Sequence, residues 1–136
     1  MNVRKCTIQD LPWLIDVAVQ KFGDFIKDVP ATMQWFQQIL MTENVAVFKT
    51  DEAYVVVGYM RQFFDPETVL AIAEYSAGNI WHWPALLKSA AEWAQGFGAK
   101  ELIFKPTTGI SPEAVAAIAA RAGMVVDNPT YKMEIK

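Results

Sequence analysis

Among its 136 residues the chain has one cysteine, Cys6, and one histidine, His82. A lone thiol closes no intramolecular disulfide, and one imidazole with no cysteine cluster builds no metal site of the common kinds. The fold must therefore rest on apolar burial, and a reducing, cytoplasmic setting is expected. Cys6 lies in an apolar-flanked segment with no base partner near it in sequence, so it reads as packing rather than as a nucleophile. No apolar run approaches the roughly 18 residues of a membrane-spanning helix. The start, Met1-Asn2-Val3-Arg4-Lys5, lacks the apolar centre of a signal peptide. Twelve Lys and Arg are outnumbered by fifteen Asp and Glu, and the basic residues are scattered. That argues against nucleic acid as the main partner. Internal repeats and low-complexity tracts are also missing.

What is present suits one α/β domain spanning 1–136. Hydrophobic residues make up 53% of the chain, enough for a single core at this length. Val3 to Cys6 reads as a short first strand, and Asp10 as the effective cap of a helix with Pro12 in its first turn and Gly23 at its end. A loop from Asp24 to Pro30 leads to a second helix, about Pro30 to Met41. The period then changes to that of strands, Asn44 to Lys49 and Ala53 to Phe63, joined through Thr50-Asp51-Glu52. After Asp65-Pro66 comes a third long strand, Thr68 to Ser76. A helix from about Pro84 to Phe97 turns Leu86, Leu87, Ala90, Ala91, Trp93, Ala94 and Phe97 toward a core. Glu101 to Lys105 reads as a strand, and Ser111-Pro112 caps a helix closed by Gly123. Two last strands, 124–127 and 130–135, complete a mixed, mostly antiparallel sheet with helices on both faces.

Three stretches carry a family resemblance over most of the chain. They are the opening Val3 to Pro12, the run from Leu86 through Glu92-Trp93-Ala94 to Leu102, and the ending Ala122-Gly123-Met124 with Tyr131 to Ile135. Together with the element order, they resemble the GNAT family of N-acetyltransferases. The resemblance implies acetyl-CoA as cofactor and a small-molecule or protein amine as acceptor. It also implies that the cofactor lies where two parallel strands part, along Ala73, Glu74, Tyr75 and Ser76. Its pyrophosphate would rest on amides at Gly78, Asn79, Trp81 and Trp83, ahead of the next helix. The family writes that loop as Arg or Gln, two variable positions, Gly, one variable position, then Gly or Ala. Here the first position is Gly78, the two small positions are Trp81 and Trp83, and Pro84 removes an amide. Two lost charge-assisted bonds, at about 1.5 to 3 kcal/mol each, weaken such binding by roughly a hundredfold to ten-thousandfold.

Acetyl transfer to an amine needs a base and an acid. The family's strand carboxylate matches Glu67 or Glu74, with Glu74, between Ala73 and Tyr75, in the drier setting. The family's acid, a tyrosine in the last helix, falls on Ala119, and its frequent Asn at the head of that helix falls on Pro112. Tyr131 and Tyr75 are the candidate substitutes. Asp24 and Asp28 lie where the family shapes its acceptor pocket. The Trp81-His82-Trp83 cluster has three readings: core packing, a ligand pocket, or an interface for a protein partner or a second copy. A non-catalytic member of the fold, as among small accessory proteins including those of bacteriophages, is the alternative to an enzyme.

Overall fold

The computed structural model describes residues 1–23, 26–62, 64–107 and 109–125. The described residues form one five-stranded sheet whose spatial order follows the chain. The strands are β1 (Arg4–Lys5), β2 (Val45–Lys49), β3 (Ala53–Arg61), β4 (Val69–Gly78) and β5 (Ala99–Phe104). Neighbours from β1 to β4 run antiparallel, and β4 and β5 run parallel. A parallel pair needs a crossover, which α3 (Trp83–Gln95) supplies.

The central strand explains how the layers form. All of Ala53 to Val57 is buried, as expected of a strand covered on both sides. Ala53, Val55 and Val57 pack with Leu86, Leu87, Ala90 and Ile118, from α3 and α4 (Pro112–Arg121). Tyr54 and Val56 pack on the other face with Leu14, Ala18 and Phe36, from α1 (Leu11–Phe22) and α2 (Val29–Leu40). Each fully buried Leu or Ile contributes about 1.5 to 3 kcal/mol. Every one of these helices carries a proline in its first turn, Pro12, Pro30, Pro84 and Pro112, where the missing N–H costs no intrahelical bond.

Several expectations need correction. Asp10 stands at the N-cap position of α1, but its side chain makes no capping bond there. Thr7 caps a short 3-10 turn, Ile8–Asp10, and Asp10 reaches back to the Thr7 amide at 2.8 Å, closing a capping box. The same carboxylate is paired with the Arg4 guanidinium, one contact being 2.8 Å, which holds its pKa down at about 2. The second helix begins at Val29 because the Asp28 side chain accepts from the Ala31 N–H at 3.0 Å. Ala91 is exposed, and Phe97 is half-exposed and stacks on Tyr59 with centroids 4.6 Å apart. Met124 and Val125 carry no strand, and the rest of the two expected closing strands lies outside the described residues.

Candidate functional site

The parallel pair separates partway along. The last paired residues are Ala73 and Phe104, followed by a bond from the Lys105 N–H to the Ala73 carbonyl at 2.9 Å. Beyond it, β4 continues through Glu74 to Gly78 without β5 beside it. One side chain still ties the two segments together. The Thr107 hydroxyl donates to the Ser76 carbonyl at 2.6 Å, and its oxygen lies 3.3 Å from the Ser76 hydroxyl.

Where the strands part, β4 carries a bulge. Tyr54 pairs with Ala77 and Val56 with Glu74, so Val55 faces both Tyr75 and Ser76. Among the described residues, Tyr75 is the non-glycine residue with positive φ, at 56°, a conformation that costs of order 1 to 3 kcal/mol and clusters at functional sites. The bulge turns the Tyr75 ring outward, 51% exposed, and edge to face with Trp35 of α2 at 5.2 Å. Glu74 pairs with Val56, whose side chain belongs to the α1/α2 face. Directly paired residues share a face, so Glu74 points that way too. It is half-buried and makes no hydrogen bond or ion pair among the described residues.

Glu67 is placed elsewhere. It is exposed in the turn before β4, its N–H donating to Asp65 Oδ1 at 3.2 Å. It lies before the first residue of β4, Val69, whereas Glu74 lies well inside that strand. Tyr131 and Asp24 lie outside the described residues. Ala119 is half-buried in α4 and offers no acid, and Pro112 opens that helix. Burial pushes the Cys6 thiol up to about 12, in keeping with a packing role.

The head of α3 is built from Gly78 through Pro84. Gly78 takes φ +87°, and a Cβ there would fall 2.1 Å from the Glu52 carbonyl oxygen, so the chain passes directly against the β2–β3 turn. Four of the amides that follow are committed within the chain. Asn79 N–H donates to Glu52 O at 2.9 Å and Trp81 N–H to Asn79 Oδ1 at 3.1 Å. His82 N–H donates to Asn79 O at 3.0 Å and Trp83 N–H to Ile80 O. Pro84 has no N–H. These residues do not fit a coenzyme A pyrophosphate seated on main-chain amides.

The aromatic cluster divides into three environments that adjacency in sequence hides. Trp83 is 1% exposed. Its indole donates to the Ala77 carbonyl at 3.2 Å and meets Phe104 edge to face at 5.9 Å, bridging the ends of β4 and β5. It therefore cannot serve as a rim contact, and only Trp81 of the pair reaches the surface. Trp81 is 46% exposed, with the Arg121 guanidinium 5.0 Å from its ring. His82 is fastened to the β2–β3 turn. The buried Thr50 hydroxyl oxygen accepts from the Glu52 and Ala53 amides, both at 3.1 Å, so its proton goes to His82 Nδ1 at 2.7 Å. The Nε2–H then faces Glu52 Oε2 at 3.2 Å. Asp51 completes a group whose ligand-type atoms lie within 4.8 Å of one another, company for the histidine that the sequence does not reveal.

No family model matches the sequence, and no curated protein matches it either. Solved structures do match along nearly the whole chain. An acetyltransferase candidate from Agrobacterium tumefaciens str. C58 superposes with a TM-score of 0.79 at 15% identity, covering 99% of this chain and 100% of its own. The aminoglycoside antibiotic 6′-N-acetyltransferase of Acinetobacter haemolyticus gives 0.72 at 14% identity, over 100% and 99%. A predicted acetyltransferase from Clostridium acetobutylicum, solved with acetyl-CoA, gives 0.72 at 9% identity, over 98% and 95%. The chain has the fold of the GNAT acetyltransferases. Among the described residues, no helix is long and apolar enough to cross a membrane.

Proposed function

We propose that this chain is an amine N-acetyltransferase of the GNAT type that works with a weakened hold on acetyl-CoA. The observation that carries the reading is Glu74: a half-buried carboxylate with no partner among the described residues, beside a strained bulge where two parallel strands part. A carboxylate so placed can take the proton from an ammonium arriving on the α1/α2 face. Acetyl-CoA is the donor that the shared fold implies, held here without a main-chain seat for its pyrophosphate. Tyr75 orients the acceptor side of the cleft, and Ser76 with Thr107 fixes the width of the gap.

A second reading, a binding module without catalysis, is favoured by the head of α3. Four of its amides are already bonded and Pro84 has none. In that reading the exposed Trp81, with Arg121, is the contact for a protein partner or a second copy.

Calorimetric titration with acetyl-CoA tests both. The expected dissociation constant is weaker than about 100 μM, from the loss of at least two phosphate bonds. A low-micromolar constant would contradict the weakened hold. Absence of binding at millimolar cofactor would transfer the case to the second reading.

A further inference from the structure

We propose, resting on the acetyltransferase reading, that the acceptor is a primary amine carried on an aromatic or otherwise apolar body, seated against Trp35 and Tyr75. An open cavity of about 340 Å³ lies between the start of α2 and the β4 bulge, lined by Ala31, Thr32, Trp35 and Tyr75. The depression is wide open to solvent, so it offers one ring and a short chain a surface to lie against rather than an enclosure. None of the four lining residues is charged. Trp35 and Tyr75 meet edge to face at 5.2 Å and remain 37% and 51% exposed, which leaves π surface bare for a guest. A flat apolar body removes that surface from water, whereas a strongly hydrated polycation gains little from it.

Charge favours an amine at one end of the guest. Aromatic faces attract a cation. Glu74 adjoins Tyr75 and points to the same side of the sheet as α2, because it pairs with Val56. Asp28 is a second negative group beside the cavity, its Oδ1 accepting from the N–H of Ala31, which lines the α2 wall. The backbone of Tyr75 would not adopt φ 56° in a regular strand, and the bulge that imposes it is what brings the ring out to Trp35.

The test is calorimetry without cofactor, using 2-phenylethylamine, 2-phenylethanol and spermidine. We expect 2-phenylethylamine to bind at about a millimolar, and the other two at least about tenfold more weakly. Trp35→Ala should weaken it at least about tenfold. Because Trp35 also leans on Phe36 at 5.0 Å, Ala31→Phe serves as the second variant: it fills the cavity from an exposed position and should produce the same loss. The proposal is overturned if the alcohol binds as well as the amine, if spermidine binds better, or if Ala31→Phe binds unchanged. Acetylation of other amines with no binding of 2-phenylethylamine sinks the acceptor class and leaves the catalytic reading standing. Binding of 2-phenylethylamine without acetyl transfer supports an amine-binding site at Trp35 and Tyr75 and removes the catalytic reading.

Discussion

Replacing Gly78 by alanine tests the geometry on which the head of α3 depends. The residue sits at φ +87°, and an added Cβ would lie 2.1 Å from the Glu52 carbonyl oxygen and 2.6 Å from Ala53 Cα. Both obstacles are backbone atoms, one in the β2–β3 turn and one at the first residue of β3, and cannot rotate away. The left-handed conformation alone costs an L-residue about 1 kcal/mol, and forcing extra volume against packed neighbours adds about 1 to 3 kcal/mol. If the turn yields, the bond from Asn79 N–H to Glu52 O at 2.9 Å is lost as well, for about 1 kcal/mol more. The sum, about 3 to 5 kcal/mol, is a large share of the roughly 5 to 15 kcal/mol that holds an ordinary domain. Urea denaturation followed by circular dichroism reads it directly. Gly98→Ala is the control, since Gly98 has φ +96° but its nearest obstacle is a Val69 methyl at an ordinary 3.7 Å. The control should cost only the conformational part, about 1 kcal/mol. Equal losses in the two variants would refute the close approach.

Thr50→Val should destabilise by about 2 to 4 kcal/mol, because it strands two amide donors and the His82 Nδ1 acceptor; Thr50→Ser should recover most of it in the same denaturation assay. The Arg4 and Thr7 bonds that hold the Asp10 carboxyl at about 2 contribute stability that is present above the unfolded value near 3.9 and lost as pH falls from about 4 to about 2. The amount is about 1 kcal/mol, below the full linkage value because Arg4 is 55% exposed. Asp10→Asn should abolish this portion of the acid dependence. Under the catalytic reading, Glu74→Gln should lower acetyl turnover by about a hundredfold with the fold intact; an unchanged rate would remove Glu74 from the role of base.

The fold was legible wherever local chemistry and burial agree. Ser111 and Pro112 mark the start of α4, and Thr50-Asp51-Glu52 is the turn between β2 and β3. The order of elements sufficed for the fold that the solved structures share. What stayed hidden depends on contacts distant in sequence or on backbone angles. The alternation in Val69 to Gly78 looks regular, and no side-chain pattern announces positive φ at Tyr75. Trp81, His82 and Trp83 look alike as a run of rings, but the turn from the 3-10 segment into α3 sends one to solvent, one to Thr50 and one into the core. Asp10 seemed a simple cap because its guanidinium partner, Arg4, lies across a turn. For the site, the composition of the loop pointed to a poor phosphate grip, while the Trp35 and Tyr75 pairing required tertiary structure.

Tyr75 is, in effect, a spare residue. A chain lacking it could zip β3 to β4 without interruption and still leave Glu74 and Ala77 on the faces they now occupy, since both already oppose residues two apart on β3. The sheet therefore gains nothing from the extra position and bears its conformational expense. A shortened strand would make a sturdier scaffold with a blank wall opposite α2.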